Sequence, residues 1–195
     1  MIRTFLSASV PLPERHPKFV RSADVIAIRE AVKGLVEEVA PIGQIVFGGH
    51  PAITPLIAKL INGMGNRVKG HITIYQSSYF ADRYPEENSE FLKIKIVPKV
   101  NDSEVESIEA MRREMIRSQD FDAGIFIGGM EGVLSEFELF RSNHPNALIW
   151  PIASTGAAAK EIFETLGNPE PDLLMRELTY STLFRKLLKS IPRYN

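Results

Sequence analysis

Two charged side chains of opposite sign, Arg112 and Glu136, and a set of turns built from small residues are where the residue types of this sequence suit chemistry. The turns read Ser7-Ala8-Ser9, Gly48-Gly49 followed by His50, Gly128-Gly129 followed by Met130-Glu131-Gly132, and Ser154-Thr155-Gly156-Ala157. Small side chains let a ligand approach the backbone, and amides exposed at a helix start favour an anion such as phosphate. Any one of these turns also fits plain strand-to-helix geometry. Together, on parallel strands, they open on one sheet edge and describe a nucleotide-sized pocket. Ser7, Ser9, Ser154 and Thr155 suit phosphate or ribose hydroxyls better than catalysis, because no serine lies in a nucleophile-elbow pattern. His50 can hydrogen-bond a ligand or serve its turn, and Tyr79 and Phe80 can stack on a base or pack inward. His16, His71 and His144 lack ligand spacing with one another or with carboxylates, so neither a metal site nor a cofactor is expected.

Helix phase decides which charges face the sheet. At about 100° per residue from Val105, Arg112 falls on the arc of Ile108, Met111, Met115 and Ile116, whereas Arg113 falls outside it. The same count sets Arg29 beside Val25 and Val36, and Glu136 beside Val133 and Phe140. Each inward charge has two roles open to it. An Arg can carry its head to water or simply pair with the Glu, or one Arg can hold both a carboxylate and a ligand phosphate.

Short β-branched runs at 3–7, 44–47, 71–76, 93–97, 123–127 and 147–152 alternate with amphipathic stretches at about 23–39, 53–64, 103–118, 133–141 and 157–166. That rhythm predicts an α/β, Rossmann-like three-layer fold with a mostly parallel sheet. Thr54 and Pro55 are expected to open the second helix and Gly65 to stop it, and Ser103 with Glu106 has capping-box spacing. After Gly167 the breakers Asn168-Pro169-Glu170-Pro171 end the rhythm, so residues 1–167 are expected to form a nucleotide-binding domain and 168–195 a helical tail. The tail's leucines predict packing on the body or on a partner, and with it a homodimer or higher homo-oligomer.

Lys plus Arg (23) nearly balances Asp plus Glu (24), which excludes a nucleic-acid backbone as main partner and makes any anion site local. The 195 residues contain no membrane-length apolar run and no cysteine, so a cytoplasmic protein without disulfides or cysteine nucleophiles is expected.

The segment Ile125-Phe126-Ile127-Gly128-Gly129-Met130-Glu131-Gly132-Val133-Leu134-Ser135-Glu136 resembles the signature of the SLOG superfamily, which unites the LOG (lysine-decarboxylase-like) enzymes with nucleotide-sensing relatives. Ile127 stands for the LOG proline, Val133 for its threonine, and Met130-Glu131 fills a one-residue place; the glutamate is kept as Glu136. Residues 46–52 and 5–9 are similar to the family's first glycine-rich turn and its opening strand with serine-rich turn. The resemblance implies that Arg112 and Glu136 face the N-glycosidic bond of a nucleotide, and that the whole turn, Val133 included, touches the ligand. The departures are similar to sensor-type branches, the SLOG domains beside TIR and Sir2 modules in Thoeris-like antiphage systems, which bind NAD-derived signals such as cyclic ADP-ribose isomers. The expected function is therefore binding of an ADP-ribose-like or other phosphorylated nucleotide as a sensor. The alternatives are a nucleoside 5'-monophosphate phosphoribohydrolase using Arg112 and Glu136, or an oligomeric scaffold. The residue gained at Met130-Glu131 is expected to shift the Glu136 turn, which weighs against the enzyme.

Overall fold

Apolar residues on both faces of a strand require cover on both sides, and β5 is buried at every position, as a central parallel strand should be. The computed structural model describes residues 1–14, 17–167 and 171–192; His16 and the breakers Asn168-Pro169-Glu170 lie outside the described residues. The chain runs β1 (Ile2–Ser9), α1 (Pro17–Val20), α2 (Val25–Val39), β2 (Gly43–Gly48), α3 (Thr54–Met64), α4 (Asn66–Lys69) and β3 (Ile72–Ser77). After two 3-10 turns, Ser78–Arg83 and Glu86–Glu90, come β4 (Lys93–Val97), α5 (Glu104–Ile116), β5 (Ala123–Gly128), α6 (Glu131–Asn143) and β6 (Leu148–Ile152). A 3-10 turn at Ala153–Thr155 leads to α7 (Ala157–Thr165), α8 (Pro171–Arg176) and α9 (Tyr180–Leu188).

The six strands form one sheet in the order β4-β3-β2-β1-β5-β6, parallel throughout. The strand period of two sorts β1 cleanly. Leu6 joins the core under α2, α3 and α9, while Phe5 joins the core under α5, α6 and α7. In the second core the rings of Phe5 and Phe140 stack at 5.2 Å, with Phe126 edge-on to both.

Helix starts follow local chemistry, with two departures from expectation. Ser103 caps α5 by accepting the Glu106 amide, but the Glu106 carboxylate accepts Asn101 Nδ2–H at 2.8 Å instead of returning to Ser103, whose amide goes to the Val100 carbonyl. Only half of the capping box forms. Thr54 lies inside α3, and its hydroxyl accepts the His50 amide at 2.9 Å, which ties the turn after β2 to the helix.

The tail packs on its own chain. Leu183, Phe184 and Leu187 of α9 are buried together with Leu35 and Val36 of α2, and fully burying side chains of this size contributes about 1.5–3 kcal/mol each. The stripe from which a homodimer is expected is thus covered within the chain.

Candidate functional site

The winding reverses between β1 and β5: the chain steps outward from β1 to β4, then returns through α5 to lay β5 on the other side of β1. Ligand crevices of doubly wound sheets open beyond the carboxyl ends of the strands at such a switch. Here Ser9 stands beside Gly128 in register, and one strand further out Gly48 stands beside Tyr75.

At this switch lies a connected polar network. Glu136 Oε2 accepts the Ser7 hydroxyl at 2.5 Å, and Oε1 accepts Arg112 Nε–H at 3.2 Å. Both charged side chains are largely buried, 20% exposed for Arg112 and 14% for Glu136. Arg113, one position on, is exposed and pairs with Glu109 of its own helix, as the helix phase requires. The pairing open to Arg112 and Glu136 is therefore realised. It still leaves the Arg112 fork available, because the carboxylate engages Nε while Nη2 reaches α6: a Cβ built on Gly132 would lie 2.7 Å from it. The guanidinium thus lies in the space that a side chain at position 132 would enter.

With the extra residue at Met130-Glu131 in the turn, Glu136 sits between β1 and α5. Gly128 and Gly129 take φ of 57° and 93°, Met130 returns to extended backbone, and α6 begins at Glu131, which keeps Glu136 against β1 and α5. The helix start carries no side-chain cap. Arg112 Nη2 thus sits over the first turn of an uncapped helix, where the macrodipole favours an anion.

The other residues divide into rim and frame. His50 lies half-buried after β2, its Nδ1 accepting the Ala52 amide at 3.1 Å, and burial lowers its imidazole to about 4. The ring is neutral at physiological pH, with its proton on Nε2 and offered as a donor. A His whose folded value lies below the unfolded one binds more protons unfolded, so stability is complete above about 6.5 and is lost as pH falls toward about 4. The melting temperature should therefore fall on acidification through that window, and His50→Gln should flatten the dependence there.

Ser154-Thr155-Gly156 is taken up within the chain. Ser154 Oγ bonds the Tyr180 hydroxyl at 3.1 Å, and Thr155, fully buried, accepts the Gly128 amide at 2.8 Å and donates to the Ile152 carbonyl at 2.6 Å. The Ala157 amide, first of α7, donates to Ser22 Oγ at 3.0 Å. Ser22 and Tyr180 close this turn, and neither carries a sequence signal that marks it. Ser7 likewise points its hydroxyl at Glu136, Ala8 packs on the α2 side of the sheet, and the Ser9 carbonyl accepts the Gly129 amide.

Two inward assignments are corrected. Arg29 and Val25 are exposed, because the buried stripe of α2 is Ala27, Ile28, Ala31, Val32, Leu35, Val36 and Val39, rotated away from them. Val105 is also exposed, and its face of α5 is replaced by Ser107, whose hydroxyl accepts the Val100 amide at 2.9 Å. The half-buried Tyr79 and Phe80 pack edge-to-face at 5.0 Å beyond β3, with Arg83 over the Phe80 ring. Among the described residues no group of His, Cys, Asp and Glu is arranged to hold a metal ion, and no helix is long and apolar enough to cross a membrane.

Residues 18–188 match the model of the SLOG cluster3 family. The X-ray structure of TM1055, a structural genomics target, matches with a TM-score of 0.55 at 15% sequence identity, over 84% of this chain and 81% of that one. At that identity the likeness concerns the fold. No curated protein matches the chain.

Proposed function

Because the chain belongs to the SLOG cluster3 family, whose fold fits a nucleotide-related role, we infer that it binds a phosphorylated nucleotide of the ADP-ribose type in the β1–β5 crevice. The observation that carries this reading is the convergence of Arg112 Nη2 and the uncapped start of α6 over Gly132. A guanidinium fork and helix-start dipole aimed at one spot are complementary to a phosphate. Glu136 and Ser7 then hold Arg112 in position, and His50 offers a neutral donor further along the rim. In this reading residues 1–167 are the binding unit, the tail braces it from the α2 side, and the protein works as a sensor or regulator of an NAD-derived signal, the Thoeris-like setting included. Calorimetry against AMP, ADP-ribose, cyclic ADP-ribose isomers and NAD tests it: one of them should bind below millimolar, and failure of all four overturns the reading.

A LOG-type hydrolase is the second reading, favoured by the retained contact between Arg112 and Glu136. In that case Glu136 would stabilise positive charge developing on the ribose while Arg112 holds the phosphate. The expected result is binding without turnover, since both carboxylate oxygens already serve Ser7 and Arg112. Release of adenine from AMP, or of nicotinamide from NAD, through multiple turnovers that vanish in Glu136→Gln would make the protein an enzyme instead.

A further inference from the structure

The outer edge of the sheet is unusually bare for a parallel strand. β4 pairs with β3 alone among the described strands, and every residue of it except Val97 is exposed. Its two faces differ in chemistry. Ile94 (37% exposed) and Ile96 (49%), preceded by Leu92 (62%), form an apolar row on the α3 side, whereas Lys93 and Lys95 face the α5 side. Lys95 also lines an open groove of about 630 Å³ with Arg113 and Glu114 of α5 and with Arg117 just after it. Arg113 is paired with Glu109, whereas Arg117 donates only to the neutral Asn143 side-chain carbonyl and keeps its charge, so Lys93, Lys95 and Arg117 outweigh Glu114 on that face.

Parallel strands are normally covered on both faces, and edge lysines alone would blunt a strand, but here they stand back to back with an unblunted apolar row. We propose that β4 is a docking edge for an extended segment of another polypeptide that alternates apolar with acidic residues, added as a seventh strand. The period of two would set its apolar side chains beside Leu92, Ile94 and Ile96 and its carboxylates beside Lys93 and Lys95. A second copy of this chain is the poorer occupant. Antiparallel self-pairing keeps opposing residues on the same face, so registers that overlap the strands well oppose Lys95 to Lys95 or Lys93 to Lys95, and like charges directly opposite are destabilising. The edge lies three strands from β1, so this proposal stands independently of nucleotide binding in the crevice.

The test uses the full chain and two labelled synthetic peptides, one alternating valine with glutamate and one alternating valine with lysine, followed by fluorescence anisotropy at low salt. The glutamate peptide should bind and the lysine peptide should not, and binding should protect β4 amides from hydrogen exchange. Lys93→Glu combined with Lys95→Glu, both at exposed positions, should weaken the glutamate peptide by about tenfold and let the lysine peptide bind. The proposal is overturned by no binding of the glutamate peptide at about 1 mM, or by equal binding to the double variant. Protection of β4 in the peptide-free protein that rises with its concentration overturns it in favour of a second copy.

Discussion

Arg112→Ala should weaken binding of the phosphorylated nucleotide by about 1.5–3 kcal/mol, roughly tenfold to a hundredfold, while Arg113→Ala changes it by less than about twofold. The contrast follows from adjacent residues on one helix: Arg112 is held by Glu136 inside the crevice, and Arg113 lies in solvent beside Glu109. Gly132→Ala supplies an independent arm. Its new Cβ would stand 2.7 Å from Arg112 Nη2, the far end of a flexible side chain, so the guanidinium swings aside and the backbone stays put. Alanine inside α6 should even raise stability, by up to about 1 kcal/mol, because glycine is the poorer helix former. A variant that melts no lower yet binds the nucleotide several-fold more weakly cannot be explained by partial unfolding. Calorimetry with thermal melts on the three variants checks it, and equal affinities for Arg112→Ala and Arg113→Ala would remove the crevice as the binding site.

Much of this was legible because local and global preferences agree. The β-branched runs and small-residue turns mark strands whose ends do lie on one edge, and the apolar arc of Ile108, Met111, Met115 and Ile116 does turn Arg112 inward. Phase alone misplaces Arg29, since it takes Val25 as part of the buried stripe, whereas the stripe that begins at Ala27 and Ile28 is rotated away from both. What periodicity cannot supply is long-range pairing. The turn after β6 reads like the other three, yet Ser22 and Tyr180, from segments far away in sequence, take up its polar groups. One signal did point there: Gly34, isolated within the pattern of α2, lies where a Cβ would meet the Tyr180 backbone at 2.9 Å. A glycine inside a helix marks a close approach, and the approaching element is α9.

Gly156→Ala should be among the most damaging single substitutions in the chain, and it separates the frame of the site from its rim. Gly156 has φ 71° and ψ −157°, a region that is essentially restricted to glycine, and Ala157 after it is also at positive φ, 55°. A Cβ at Gly156 would lie 1.7 Å from the Ser22 carbonyl oxygen, which is backbone and cannot rotate away. Relief requires moving the segment that carries Ser22 and Asp24, whose amide donates to the Thr155 carbonyl at 3.2 Å. Strain and overlap together should cost at least about 3 kcal/mol, lowering the melting temperature by roughly 6–12 °C in a protein of this size. Gly63→Ala is the matched control, since Gly63 is exposed in α3 with nothing within 4 Å of a built Cβ, and it should stabilise by about 0.5–1 kcal/mol. A Gly156→Ala protein that melts with the wild type would mean that Ser22 does not close this turn. The Ala157 amide would then be a free donor at the start of α7.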